Sequence, residues 1–141
     1  MLDPMKRQLL LTFAWVVALV ATLGSLYYSE VRLFLPCELC WYQRIFMYPQ
    51  AIILAIALWR QDFGVWPYSL ALSLIGGSIS VLHLLEERFP NLFTLACKPP
   101  VPCSVEYIPQ FPIPLQALIA FALIALSMAL ISREARVVQW R

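Results

Sequence analysis

The chain has 141 residues, of which 62% are hydrophobic and 13% are charged, and its formal net charge is +2. Soluble domains average about 45–50% apolar and about 25% charged residues, so this composition excludes an ordinary soluble domain and favours a protein embedded in lipid. The Lys and Arg residues form no dense run, so nucleic acid is not an expected partner.

Four apolar runs are long enough to cross a bilayer core, which takes about 20 residues of helix. They cover about residues 9–28, 40–59, 65–85 and 114–131. The runs are solidly apolar rather than alternating, and lipid offers no hydrogen bonds to exposed backbone, so all four are predicted to be helices. The predicted fold class is an all-α membrane protein, a four-transmembrane-helix bundle that forms a single domain over residues 1–141.

The first run follows Lys6 and Arg7 and therefore resembles a secretory signal. Its apolar stretch is longer than the ~7–15 residues of a signal core, and no clear small-residue cleavage site follows it. We expect a retained first helix. Small residues recur at helical spacing in the first and third runs, which is typical of faces where membrane helices pack closely. They include Ala14, Ala18, Ser69, Ser73 and Gly77.

The basic residues predict the orientation in the membrane. With four spans both termini lie on one side, and that side holds the larger share of the basic residues: Lys6, Arg7, Arg60, Arg133, Arg136 and Arg141. The opposite side holds Arg32, Arg44, Arg88 and Lys98. This modest bias predicts cytoplasmic termini and two outer loops, at about residues 29–39 and 86–113. All four cysteines then fall on the outer side.

The first cysteine pair is Cys37-Glu-Leu-Cys40. Two cysteines separated by two residues cycle easily between dithiol and disulfide. Cys40 stands at the predicted start of the second helix, where unpaired backbone N–H groups favour negative charge. Arg44 lies one turn further along the same face. We therefore expect the helix start and Arg44 to stabilise a thiolate at Cys40.

Polar and aromatic residues follow this pair inside the second run. Trp41 and Tyr42 are typical interfacial anchors, although they could also line a site for a flat ring. Pro49 is expected to kink the helix, and Gln50 beside it is a polar group within the membrane. These two residues could open a niche, but packing explains them nearly as well.

The second pair, Cys97 and Cys103, encloses a loop that is rich in proline. Such a loop is accessible to a protein partner, and Lys98 would favour a thiolate at Cys97. Two alternatives stay open for the four cysteines. They could form structural disulfides, although closing a loop over two residues stabilises little. They could also bind zinc, but the wide second spacing is unusual for that metal, so no metal site is predicted.

His83 is the single histidine and lies near the outer end of the third run. Glu86 and Glu87 follow at helical spacing, which favours a local ion pair. The functional alternative is a proton donor or hydrogen-bond partner at a ligand site within the membrane.

The run from Cys37 to Arg44, CELCWYQR, resembles the DsbB family of disulfide bond formation proteins. The run Ile108 to Leu115 before the last span is also similar to that family, and the resemblance covers nearly the whole chain. The short loop between Cys97 and Cys103 is similar to the compact, BdbC-like branch from Gram-positive bacteria.

This resemblance implies a thiol:quinone oxidoreductase in the bacterial cytoplasmic membrane that supports disulfide bond formation. Electrons would pass from an extracytoplasmic thioredoxin-fold thiol oxidase, DsbA-like or BdbD-like, through Cys97–Cys103 and Cys37–Cys40. They would end on a membrane quinone, either menaquinone or ubiquinone. The short second loop leaves open whether Cys97 or Cys103 forms the mixed disulfide with the partner.

The resemblance also implies roles near the quinone. Cys40 would lie nearest the ring, Arg44 would support quinone binding, and His83 corresponds more loosely to a family histidine. The competing hypothesis is a non-enzymatic membrane assembly protein with structural disulfides in its outer loops. An oxidoreductase of the vitamin K epoxide reductase type shares the chemistry, but its cysteine order and topology fit less well.

Overall fold

The computed structural model describes residues 3–89 and 111–139, and the side chains among them up to residue 133. Within these ranges the chain contains no strand and four α-helices: α1 (Pro4–Leu26), α2 (Glu38–Arg60), α3 (Trp66–Arg88) and α4 (Ile113–Gln139). The predicted all-α fold is confirmed. The second cysteine pair and most of the second predicted outer loop lie outside the described residues.

The α1 helix starts at a proline and ends in a wider turn. Asp3 precedes Pro4, whose fixed φ suits the first helical position. At the other end the chain continues as a π-helix, Tyr27–Val31, a widening that often occurs at functional sites. The short irregular segment that follows, residues 32–37, leads directly into α2.

A tight connection makes α2 and α3 antiparallel neighbours. The α2 helix ends at Gln61, which adopts a left-handed conformation with φ 53°. Asp62 then accepts a hydrogen bond of 2.8 Å from the Gly64 backbone N–H and opens a short 3-10 turn, Phe63–Val65. Pro67 occupies the first turn of α3.

The four helices form a ring in chain order, in which each helix packs against the next and α4 packs back against α1. Small residues lie at the contacts, as the sequence pattern predicts: Ala14 and Ala18 are fully buried. The contact at Gly76 leaves no room for a larger side chain, because a Cβ built there would lie 2.3 Å from the ring of Phe121 on α4. Small side chains thus let the backbones approach closely.

A group of buried polar side chains joins the middle of α2 to α3, and we call it the amide cluster. It consists of Gln50, Ser69 and Ser73. Both serine hydroxyls donate to Oε1 of Gln50, at 2.8 and 3.0 Å, and Nε2 of Gln50 donates to the Phe46 carbonyl. Gln50 is therefore a packing residue with bonded side-chain atoms rather than part of an open niche.

Length and hydropathy mark three segments of the described chain as able to cross a membrane: Pro4–Val31, Phe63–Arg88 and Ile113–Arg133. The α2 helix is not among them, because its first half carries several polar side chains. It still exposes apolar side chains, including Ile45, Ile52, Ile56 and Trp59. Membrane-spanning helices are thus established, whereas α2 as the fourth span stays a prediction.

Candidate active site

The site is built around the start of α2, where Cys37 is the N-cap residue. Cys37 has extended backbone angles, and its Sγ accepts a hydrogen bond of 3.4 Å from the Cys40 backbone N–H. Its carbonyl accepts the first helical bond from Trp41. Serine, threonine, aspartate or asparagine oxygen usually occupies this acceptor position, so a sulfur there receives the positive end of the helix dipole.

The two sulfurs of the pair lie side by side. Sγ of Cys37 and Sγ of Cys40 are 3.0 Å apart, and both residues are free thiols in this structure. Cys37 is 8% exposed and Cys40 is partly buried. The pair is therefore close enough to interconvert between dithiol and disulfide while it is largely shielded from water.

His83, on α3, lies against this pair. Its Nε2 is 3.6 Å from Sγ of Cys37 and its Nδ1 is 3.1 Å from Nε2 of Gln43. His83 and Gln43 are 1% and 6% exposed. Both ring nitrogens of His83 thus face side chains of the α2 start, Cys37 and Gln43, while its role at a ligand site stays a prediction. We call Cys37, Cys40, Gln43 and His83 the thiol cluster.

This environment stabilises negative charge on Cys37. The hydrogen bond with the Cys40 thiol is the main cause, and with the bond and charge of His83 it lowers the pKa of Cys37 to about 4, although burial opposes the shift. The prediction that Cys40 holds the stabilised thiolate is therefore wrong for the reduced pair. The reason is local: the Cys40 thiol donates to the Cys37 sulfur, and Cys37, not Cys40, is the N-cap that also accepts the helix N–H.

Arg44 is held beside the pair by α1. Its Nη2 donates to the Ser25 carbonyl at 3.3 Å, and its guanidinium lies 5.4 Å from the Trp41 ring centroid. Tyr48 reaches the same residue of α1, because its hydroxyl donates to Oγ of Ser25 at 3.2 Å. These contacts anchor the first turns of α2 to the end of α1.

A cavity of about 810 Å³ opens beside the sulfur pair. It lies mainly between α1 and α4, and its wall includes Cys37, Cys40, Arg44 and His83 at one end. Trp41 and Tyr42 are 55% and 51% exposed and do not line it, which agrees with a role as interfacial anchors. The remaining wall is mostly apolar: Val16, Val17, Val20, Leu23, Ala117, Ile119, Ala120, Phe121 and Leu123.

Two sets of residues separate the predicted site from the observed one: the second cysteine pair, which was predicted, and Gln43, which was not. Cys97 and Cys103 lie outside the described residues, so their place in the second outer loop and their role in electron transfer stay predictions. Gln43 was not singled out from the sequence. A polar side chain within an apolar run, three residues after a reactive cysteine, is the signal that could have identified it.

Comparison with known proteins agrees with this site. The family model "Disulfide bond formation protein DsbB" matches residues 6–132. Disulfide bond formation protein C of Bacillus subtilis is 50% identical over 135 residues, which cover 92% of this chain and 98% of that protein. A probable disulfide formation protein C of Halalkalibacterium halodurans is 45% identical over 134 residues, covering 92% and 97% of the two chains.

A probable disulfide formation protein of Deinococcus radiodurans is 55% identical over 82 residues, covering 58% of this chain and 54% of that protein. No solved structure matches the chain. The family match and the first two relatives span nearly the full length, including the cysteine pair at the start of α2 and His83 on α3. The chain therefore belongs to the DsbB family of disulfide bond formation proteins, membrane oxidoreductases of the bacterial cytoplasmic membrane.

Proposed function

We propose that the protein is a thiol:quinone oxidoreductase that reoxidises a thioredoxin-fold thiol oxidase outside the cytoplasmic membrane. The observation that carries the proposal is the opening of the Cys37–Cys40 pair onto an apolar cavity whose wall also includes Arg44. A dithiol in this position can deliver electrons to a ligand that enters from the lipid. The proposal includes α2 as a fourth span and cytoplasmic termini.

The cavity suits a quinone in size and in chemistry. Its volume of about 810 Å³ lies within the range of about 300–1,000 Å³ that is typical of small-molecule sites. Polar side chains near the sulfurs suit a ring with two carbonyl oxygens, and the apolar wall suits a hydrocarbon tail. Val20 and Ile119 line the cavity and are also 63% and 40% exposed, so the cavity borders the surface that faces lipid.

When bound, a quinone supplies a two-electron acceptor that takes up two protons to become the hydroquinone. On the protein side, the Cys37 thiolate and the Cys40 thiol lose two electrons and one proton as their sulfur–sulfur bond forms, and the second proton of the hydroquinone comes from solvent. Cys40 lies one helical turn from Arg44, and both line the cavity. Cys40 is therefore the sulfur that we place nearest the ring.

Arg44 is proposed to stabilise negative charge that develops on a carbonyl oxygen of the ring. The bond to the Ser25 carbonyl uses one of the five N–H donors of its guanidinium and fixes the orientation of the group. His83 is proposed to be the hydrogen-bond partner of Cys37 while that sulfur is charged. Its place within 3.6 Å of Cys37 supports this role.

Cys97 and Cys103 are proposed to carry electrons from the partner to the thiol cluster. In the first exchange the partner's dithiol becomes a disulfide and the Cys97–Cys103 disulfide is reduced. In the second exchange Cys97–Cys103 is oxidised again and Cys37–Cys40 is reduced. Each exchange breaks one disulfide and forms another, so two electrons per turn reach the quinone.

The test is a titration of the purified full-length protein after its quinone has been removed and its cysteines reduced. Adding a short-chain menaquinone or ubiquinone analogue should oxidise Cys37–Cys40, which thiol alkylation followed by mass analysis detects. In the variant Cys97→Ser/Cys103→Ser, the quinone analogue should still oxidise the Cys37–Cys40 pair. Pairs that resist the reductant, or that once reduced never respond to quinone, would instead support the non-enzymatic assembly protein.

A further inference from the structure

We infer that, in the reduced protein, Cys37, Cys40 and His83 form a three-ligand binding site for a thiophilic divalent metal ion such as Zn²⁺. The ligand atoms of the three residues all lie within 4.8 Å of one another. Two sulfurs and one imidazole nitrogen are donors that zinc prefers. This site uses one cysteine pair and a histidine from another helix, and so differs from a zinc site made of all four cysteines.

The distances agree with tetrahedral coordination. With Zn–S bonds of about 2.3 Å and a Zn–N bond of about 2.1 Å, a bound sulfur and nitrogen lie about 3.6 Å apart. Sγ of Cys37 and Nε2 of His83 are 3.6 Å apart. The same geometry places two bound sulfurs about 3.8 Å apart, so the 3.0 Å separation of the Cys37 and Cys40 sulfurs must widen by a side-chain adjustment.

Gln43 completes the support that a metal-bound histidine requires. Such a histidine usually donates its other ring N–H to an oxygen, which fixes the tautomer and the ring orientation. Nδ1 of His83 faces the side-chain amide of Gln43 at 3.1 Å. Rotating that amide by half a turn presents its oxygen to Nδ1 without moving the backbone, so Gln43 can accept from the metal-bound form.

Charge balance and access also fit. Binding releases the remaining thiol protons to solvent, and two thiolates neutralise the dication, which makes the buried complex formally neutral. Three protein ligands leave the fourth position of a tetrahedral ion open. The cavity that borders both cysteines and His83 provides room there for a water molecule.

The site can exist only while the pair is reduced, because a disulfide has no thiolate to offer. A bound ion would hold both sulfurs and block their oxidation, so the metal would act as an inhibitor of the cycle. This regulatory consequence rests on the proposed function, whereas the binding itself does not.

The test uses Co²⁺ as a spectroscopic probe for zinc, on the full-length Cys97→Ser/Cys103→Ser protein in detergent. After reduction with a phosphine, which avoids a competing thiol, Co²⁺ should bind in a single equivalent. We expect a sulfur-to-cobalt charge-transfer band in the near ultraviolet and intense visible bands of tetrahedral Co²⁺. Zn²⁺ should displace the probe, and the oxidised protein should stay silent.

Single substitutions separate the ligands from the rest of the site. Cys37→Ser should remove the charge-transfer band or greatly weaken it, and His83→Gln should weaken binding and alter the visible bands. Gln43→Leu should weaken binding by about 10- to 100-fold, as loss of an outer-shell partner usually does. Far-ultraviolet circular dichroism checks that each variant keeps its helices.

The proposal is overturned if the reduced protein shows no tetrahedral cobalt spectrum, or if His83→Gln with native helicity binds Co²⁺ with an unchanged spectrum. Quinone reduction by metal-free wild-type protein is measured separately. Cobalt binding without quinone reduction would refute the proposed function alone, and quinone reduction without cobalt binding would refute the metal site alone. Inhibition by Zn²⁺ that a chelator reverses, and that parallels occupancy, would support the regulatory role.

Discussion

Two polar clusters, the amide cluster and the thiol cluster, both join α2 to α3, but they differ in what surrounds their glutamine side chains. In the amide cluster, Gln50 is 0% exposed, and hydroxyls from α3 saturate its amide oxygen. In the thiol cluster, Gln43 lies seven residues earlier, about two turns along the same helix, and bonds to His83. Both glutamines are buried polar groups within an apolar bundle, yet only the second lies beside ionisable groups and a cavity.

The difference teaches how to separate structural from functional polar groups in a membrane protein. A buried polar side chain with bonded neighbours and no ionisable partner in contact couples helices. A buried polar side chain that contacts a thiol–imidazole pair at a cavity is placed for chemistry. Substitutions in the thiol cluster and its cavity should therefore change turnover, whereas substitutions in the amide cluster should change stability.

The largest effect is expected from Cys40→Ser, which should reduce quinone-dependent thiol oxidation to background because the disulfide can no longer form. Oxygen uptake coupled to quinone turnover, or quinone absorbance, measures the loss. The matched control is Ser73→Ala in the amide cluster, which removes one side-chain oxygen and should retain turnover. A Cys40→Ser protein with wild-type turnover would show that the thiol cluster is not the reactive site.

Arg44→Ala should slow quinone reduction by about 10- to 100-fold, because a hydrogen bond to a charged group contributes about 1.5–3 kcal/mol. Exchange with the partner thiols should change much less. Stopped-flow measurement of the two half-reactions separates them, and Arg44→Lys, which keeps the charge, should recover part of the rate. Equal slowing of both half-reactions would contradict the assignment of Arg44 to the quinone.

Gly24→Leu should weaken quinone binding about tenfold, because overfilling a packed site costs about 1–3 kcal/mol. Gly24 lines the cavity, and a Cβ built there meets nothing within 4 Å in the described part of the chain. Gly24→Ala is the matched control, since it adds little volume and should stabilise the helix by about 0.5–1 kcal/mol. The readout is the KM for quinone, and an unchanged KM in the leucine variant would place the ligand elsewhere.

Gln50→Leu should lower the free energy of unfolding by about 1–2 kcal/mol, because two serine hydroxyls lose their shared acceptor. Unfolding in mixed detergent micelles measures the change, and the KM for quinone should stay at its wild-type value. Ser78→Ala is the control, since the exposed Ser78 hydroxyl bonds, among the described residues, only within its own helix, to the Leu74 carbonyl. A large rise in the KM of Gln50→Leu with native stability would contradict the conclusion that the amide cluster affects stability rather than turnover.

Several features could be predicted from the sequence because they depend on neighbouring residues alone. Continuous apolar runs predicted the all-α fold, and the described helices follow them with shifted ends: α1 begins at Pro4 rather than near residue 9. The spacing of Cys37 and Cys40 predicted a pair at the start of a helix. Cys40 and Arg44 were predicted on one face, and both line the cavity.

Other features depend on how the helices face one another, and there the sequence predictions were incomplete. His83 has Glu86 and Glu87 as sequence neighbours, which favoured a local ion pair, but its ring contacts a sulfur that lies 46 positions earlier in the chain. The stabilised thiolate was predicted at Cys40 but lies at Cys37, because the Cys40 thiol donates to the Cys37 sulfur and the backbone N–H of Cys40 points to the same sulfur.

The sequence by itself determined that the chain is a helical membrane protein with a closely spaced cysteine pair, since hydropathy and short spacing are local properties of the chain. Only the tertiary structure decided which polar groups lie against the cysteine pair. Gln43 and Gln50 are the same residue type on one helix. The packing of α3 against α2 sets a histidine opposite the first and two serines opposite the second, and those partners are not encoded by any neighbour in the sequence.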